Sequence, residues 1–322
     1  MKRLLLLAAL FMLVLGPTPA TAGPLQDEEG YVANGGVRIW YRVEGARHSS
    51  ALPILLIHGG PGATARPFEM TVGPELARQR TVVYMDYRGA GRSDRPTDPA
   101  QYSFALLASD AEAIRRKLGI SRWAVFGHSN GGATAIIYAT RFPSSTAALI
   151  LCDPLLSPLD LDMNMIHKVA FAPPEKFAQA RAIYRSDKSN AQKFDELIDL
   201  LGQQESYRLQ FFDPHDNDVL AGYQNGLERE LGKGLMEPAL FAGLLASGFF
   251  QFDAYALVEK LSMPTLLLLG RFDSEISIDN AMKFAMTLSD GTIAVLEHSG
   301  HHPYLEQTRL SAEKVNAFLE KR

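Results

Sequence analysis

Gly127-His128-Ser129-Asn130-Gly131 constrains this chain more than any other stretch, because of what flanks it. Trp123-Ala124-Val125-Phe126 reads as a buried strand leading in, and Gly132-Ala133-Thr134-Ala135-Ile136-Ile137-Tyr138-Ala139 reads as a helix leading out. A G-x-S-x-G on a strand-to-helix corner forces its serine into a strained backbone conformation, and the two glycines remove side chains that would collide there. The hydroxyl then stands at the head of a helix, where backbone N–H groups converge. Ser129 is the candidate nucleophile; the bland alternative is a glycine-rich turn.

The rest of the chain repeats the strand-then-helix pattern. Asn34-Gly35-Gly36 is a hairpin signal between extended segments near 30–33 and 37–44. Apolar strands are expected at 54–57, 81–84, 123–126, 148–151, 265–269 and 293–296, with helices near 67–78, 104–118, 132–141, 277–288 and 311–321. Continuous apolar strands separated by helices predict an α/β fold: a mostly parallel, eight-stranded sheet covered on both faces. The alternation stops at Pro154 and resumes at Pro264. Residues 154–257 read as an inserted helical cap rich in aromatics, including Phe171, Tyr184, Tyr207, Phe211, Phe212, Phe249 and Phe250, on a core of 23–153 and 258–322.

The 322 residues, 47% of them hydrophobic, offer ample core for one such domain. Residues 1–22 read as a cleaved signal peptide. Lys2-Arg3 opens it, Leu4 to Leu15 is apolar throughout, Gly16-Pro17 breaks the run, and Ala20-Thr21-Ala22 suits a signal peptidase. The apolar run is too short to span a bilayer. Export to the periplasm or medium is expected, with a mature start at Gly23. Losing Lys2 and Arg3 takes the formal charge from −4 to −6. No basic cluster suggests nucleic acid or an anionic membrane surface. The lone cysteine, Cys152, sits in an apolar run and reads as a small core residue.

A serine hydroxyl needs an adjacent base, itself oriented by a carboxylate. Leu266-Leu267-Leu268-Leu269 runs into Asp273, and Ala294-Val295-Leu296 runs into a loop holding His298, His301 and His302. In a parallel sheet these loops open on the same edge as Ser129. Asp273 is read as the acid, with Asp153 the alternative after the preceding strand. His301 is read as the base, because Gly300 before it permits a tight turn aimed at the sheet edge. His58-Gly59-Gly60-Pro61-Gly62 follows the first parallel strand. The N–H groups of Gly60 and Asn130 are the candidate oxyanion donors, and His58 is read as a brace. Asp86-Tyr87-Arg88-Gly89-Ala90-Gly91-Arg92-Ser93 lacks the Lys-Ser/Thr of a phosphate loop and reads as a structural turn. Arg271 and Glu306 read as structural or solvent-facing. No grouping has metal-ligand spacing, and no cofactor is expected.

Taken together, His58-Gly-Gly-Pro-Gly, Asp86-x-Arg-Gly-x-Gly-x-Ser93, Gly-x-Ser129-x-Gly-Gly, Gly-Arg-x-Asp273 and Ser-Gly-His301-x-Pro-x-x-Glu306 resemble the α/β-hydrolase fold family. Within it, His-Gly-Gly-Pro-Gly looks most like the prolyl iminopeptidases, which remove an N-terminal proline. The chain departs from them at Asn130, where they commonly carry tryptophan, and at His128, where they commonly carry glycine. The resemblance implies a serine hydrolase acting on a small-molecule or short-peptide substrate. It also implies that cap glutamates hold the free α-amine, for which Glu196, Glu205, Glu228 and Glu230 are available. The alternative is a carboxylic ester hydrolase with an apolar pocket under the cap; a third is a binding protein that keeps the fold without turnover. Serine at the nucleophile position argues against the dehalogenases and epoxide hydrolases of this fold, which use aspartate.

Overall fold

A computed structural model describes residues 25–46, 50–60 and 62–321; the expected leader, 1–22, lies outside them. Strands β1 (Glu28–Asn34) and β2 (Val37–Glu44) form the expected hairpin. Its turn residues Gly35 and Gly36 both have positive φ, 60° and 80°, as a two-residue turn matched to strand twist requires. Then follow β3 (Ile54–Ile57), helices α1 (Arg66–Met70) and α2 (Val72–Ala77), β4 (Val82–Met85), α3 (Phe104–Lys117), β5 (Trp123–His128), α4 (Asn130–Arg141) and β6 (Thr146–Cys152). Six helices come next: α5 (Pro158–Ala170), α6 (Pro174–Arg185), α7 (Asn190–Leu201), α8 (Gln203–Arg208), α9 (Asp216–Leu231) and α10 (Pro238–Ala246). The chain closes with β7 (Thr265–Gly270), α11 (Ile278–Thr287), β8 (Gly291–Leu296), α12 (Pro303–Glu306) and α13 (Thr308–Leu319).

The eight strands form one sheet in the order β1-β2-β4-β3-β5-β6-β7-β8. Only β2 runs against its neighbours; β3 to β8 are parallel. Every residue of β3, β4, β5 and β7 is buried, which explains their unbroken apolar sequence. Successive side chains serve opposite faces: Leu55 and Ile57 join Val125, Leu149 and Leu267 on one side, and Ile54 and Leu56 join Phe126, Ile150 and Leu266 on the other. Helix α3 is started by Ser103, whose hydroxyl accepts from the Leu106 N–H, and ends on Arg115, Arg116 and Lys117, which suit the negative end of its dipole.

The helix expected over 67–78 is instead two helices broken at Thr71. Its hydroxyl donates to the Pro67 carbonyl at 2.6 Å, and its backbone (φ −131°, ψ −104°) leaves the helical region. Helix α4 begins two residues earlier than expected, directly after Ser129. The inserted helices hold a small core of their own around Met165, Ala180 and Leu197.

Candidate active site

Chain order reverses between β3 and β5, which lie side by side with Ile57 opposite Gly127. Open parallel sheets bind ligands at this kind of crevice, outside the carboxyl ends of the strands. The His58 loop and the Ser129 turn both leave the sheet there. Ser129 has φ 55° and ψ −124°, a left-handed conformation shared among described non-glycine residues only by Asp153 (φ 40°). The corner is held from three directions. The Ser129 N–H donates to the Cys152 carbonyl at 3.0 Å, and the Ser129 carbonyl accepts from Gly132 at 2.8 Å and Leu155 at 2.9 Å. A Cβ on Gly131 would meet the Ile57 and His58 carbonyls at 2.5 Å, so the tight approach to β3 requires glycine.

His58 has both ring nitrogens engaged. Nε2 accepts from the Tyr87 N–H at 3.1 Å, which leaves Nδ1 to donate to the Gly59 carbonyl at 2.8 Å. Burial holds its pKa down, against the pull of Asp86, and the ring braces the loop. Gly60 (φ 109°) and Gly62 (φ 98°) both need glycine's freedom. Asn130 is the first residue of α4, where backbone N–H groups have no carbonyl one turn back. Asp86 closes its own turn, accepting from the Ala65 N–H at 2.8 Å and from Arg92 Nε at 2.7 Å, while the Arg92 guanidinium lies 3.2 Å over the Trp40 ring.

Of the three candidate histidines, His301 alone meets the acid: its Nδ1 lies 2.8 Å from Asp273 Oδ2, both side chains buried. His298 is exposed beside Phe212. His302 bonds Gln210 Oε1 at 3.0 Å and stacks on Phe211. Burial opposes charge on His301, but Asp273 and Glu275 outweigh it and raise its pKa. His128 donates from Nε2 to the His301 carbonyl at 2.7 Å, with ring centroids 4.8 Å apart, and so ties the serine corner to the histidine loop. Burial keeps His128 and His302 neutral. Asp153 and Asp273, alternatives in the sequence, converge: one coordinating atom from each, with one from His301, lie within 4.8 Å of one another.

The four cap glutamates do not share one environment. Glu196 pairs with Lys188 at 2.5 Å, Glu205 with Arg208 at 3.3 Å, and Glu230 with Arg66, all at the surface. Glu228 is half-buried on α9, near Gly234, and forms no ion pair among the described residues. The aromatics of the cap segment are spread over different surroundings. Phe171, Tyr207 and Phe212 are exposed, while Phe249 packs with Phe104 in the core. The spacing of the chain gave no sign of Lys168 and Glu275. Lys168 on α5 is buried and meets Glu275, two residues past Asp273, at 2.9 Å. Glu306 is also more than solvent-facing: it accepts from the Phe212 and Gly300 N–H groups at 2.6 and 2.8 Å, and burial pushes its pKa to about 7.

Residues 53–308 match the model of a family described as alpha/beta hydrolase fold. The chain belongs to the α/β-hydrolase fold family. It is 23% identical over 291 residues to a proline iminopeptidase of Heyndrickxia coagulans, covering 90% of this chain and 98% of that one. Among solved structures it is similar to a proline iminopeptidase-related protein of Thermus thermophilus (TM-score 0.74, 23% identity, 92% and 98% coverage). An esterase of Exiguobacterium antarcticum also matches in fold (TM-score 0.66, 19% identity, 90% and 98% coverage). The eight-stranded sheet and its flanking helices are those of an α/β-hydrolase, and the chain is a hydrolase by kinship.

Proposed function

We propose that the protein is an exported serine hydrolase that removes an N-terminal proline or similar small residue from short peptides. The observation that carries the chemistry is the buried Asp273–His301 hydrogen bond on the sheet edge from which Ser129 projects. With Nδ1 held by Asp273, His301 presents Nε2 as the base. It takes the Ser129 proton as Oγ bonds the acyl carbon, and it returns that proton to the leaving amine as the scissile bond breaks. The N–H groups of Gly60 and Asn130 stabilise the oxyanion. Water, deprotonated by His301, then releases the acid and frees Ser129. Asp273 keeps its hydrogen bond to His301 throughout.

Support for the aminopeptidase reading comes from the proline iminopeptidase relatives and from Glu228. A substrate α-amine is a cation and needs an anionic partner. Glu228 is the candidate not already spent on a surface cation. It sits on α9, the helix that also bonds Thr64 through Gln224 just past the His58 loop, at 2.9 Å. The specific observation favouring the ester reading is that Glu196, Glu205 and Glu230 are all engaged elsewhere. Comparing proline arylamide, its N-acetylated form and a short-chain nitrophenyl ester decides between them. Aminopeptidase action predicts that acetylation abolishes cleavage; equal cleavage of both amides, or of the ester alone, selects the esterase.

A further inference from the structure

Two acids meet one base at this site, and their surroundings differ. Asp273 accepts three N–H donors: Glu275 at 2.6 Å and Ile276 at 3.0 Å on Oδ1, and His301 at 2.8 Å on Oδ2. Asp153 is fully buried, pairs with no cation among the described residues, and has one shared donor, the Gly270 N–H at 3.0 and 3.2 Å. A carboxylate oxygen of each acid lies within 4.8 Å of the other and of a His301 ring nitrogen. Two carboxylates this close inside a protein disfavour each other's charge, so the pair keeps one proton.

We infer that Asp153 is the protonated member, a neutral carboxylic acid that donates its O–H to the Asp273 carboxylate and so fixes Asp273 for His301. The donor count assigns the proton: three N–H groups stabilise charge on Asp273 and one stabilises charge on Asp153. Burial and the neighbouring Asp273 both push the Asp153 carboxyl well above its ordinary range. The thiol of Cys152, beside both acids, is pushed up with it, first by burial. Backbone position fits the same role. Asp153 follows β6 at φ 40°, a conformation that aspartate and asparagine tolerate better than most residues. Its strained turn points the carboxyl across to the end of β7, where Asp273 follows. The pair then carries a single negative charge to balance the imidazolium that forms on His301. Asp153 is a positioning residue acting through Asp273, and the inference rests on the Ser129–His301–Asp273 reading.

Asp153→Asn tests the charge, since it keeps the backbone tolerance and an N–H donor while fixing neutrality. The other groups facing His301 are Asp273, Glu275, Lys168, His128 and His302, and Glu306 also acts on Asp153; all stay in place. The expected result is kcat within about threefold of wild type and an unmoved low-pH limb of kcat/KM. An ionised Asp153 would instead make that limb fall by about one pH unit or more, because a negative charge within a few ångströms of His301 is lost. Asp153→Gly keeps the backbone and deletes the donor. It should lower kcat about tenfold or more with KM little changed; full kcat would overturn the positioning role. Infrared spectroscopy reads the proton without turnover, which separates failure of this inference from failure of the triad. The wild-type protein above pH 8 should retain a buried carboxylic-acid C=O band that disappears in Asp153→Asn. Should that variant not fold, Asp273→Asn serves, because removing the neighbouring anion should weaken the same band. A band insensitive to both replacements contradicts the assignment.

Discussion

Lys168 on α5 reaches across to Glu275, on the loop that carries Asp273, and the buried ammonium meets the half-buried carboxylate at 2.9 Å. Around them the contact is reinforced: His167 Nδ1 lies 2.7 Å from the Ser274 carbonyl, the Ser274 hydroxyl donates to the Leu209 carbonyl at 2.6 Å, and Asn164 bonds Glu275. The His301 N–H donates to the Gln210 carbonyl at 2.6 Å. The inserted helices therefore grip both loops that carry the acid and the base.

This pair should tune the pH profile in opposite directions. Burial disfavours the Glu275 anion, but Lys168 and His301 outweigh it and hold the carboxyl below its ordinary range. Glu275 raises the His301 pKa and Lys168 lowers it. Activity needs neutral His301, so the low-pH limb of kcat/KM follows that pKa. Lys168→Met should move the limb to higher pH, and Glu275→Gln to lower pH. Each should also cost about 3–5 kcal/mol of stability, the usual penalty for leaving one buried charge alone. Movement of both limbs in the same direction would refute the coupling.

Ser129→Ala, His301→Ala and Asp273→Asn should each reduce kcat by about 10³-fold or more, and the losses should not multiply on combination, because the three act as one unit. Steady-state kinetics of the single and double variants checks this.

Glu228→Gln should weaken proline-arylamide hydrolysis about tens-fold, since roughly 2 kcal/mol or more is at stake when one partner of a desolvated charge pair is truncated. Nitrophenyl ester hydrolysis should change little. Equal losses on both substrates would show that Glu228 supports the fold and not the amine.

Mass spectrometry of protein secreted by a native-like host should find Gly23 at the N-terminus. A soluble form that retains Met1 would contradict export.

Sheet and corner were legible because parallel strands are apolar throughout and because G-x-S-x-G admits few backbone solutions. The loops at the strand ends were equally legible: Ser129, Asp153, Asp273 and His301 all fall where the alternation placed them. His301 stood apart from its neighbours His298 and His302 in the sequence only through Gly300, whose tight turn aims it at the sheet edge where it meets Asp273. A Cβ on Gly300 would meet the Gln210 carbonyl at 2.3 Å. The convergence of both acids is not legible in the sequence, because strand ends far apart in the chain are adjacent in the sheet, β6 beside β7. The Lys168–Glu275 contact joins residues far apart in the chain and depends on how α5 lies against the core. Periodicity shows that such a helix is amphipathic but not which neighbour it meets. The same holds for the cap glutamates, whose fate depends on nearby Lys188, Arg208 and Arg66.

Ser129, activated by His301, should be the residue that bonds the substrate. Reaction with a fluorophosphonate followed by peptide mapping tests it most directly. The expected result is covalent phosphonylation at Ser129, lost in Ser129→Ala and strongly slowed in His301→Ala. An adduct on another residue, or none at all with a folded and active enzyme, would contradict it.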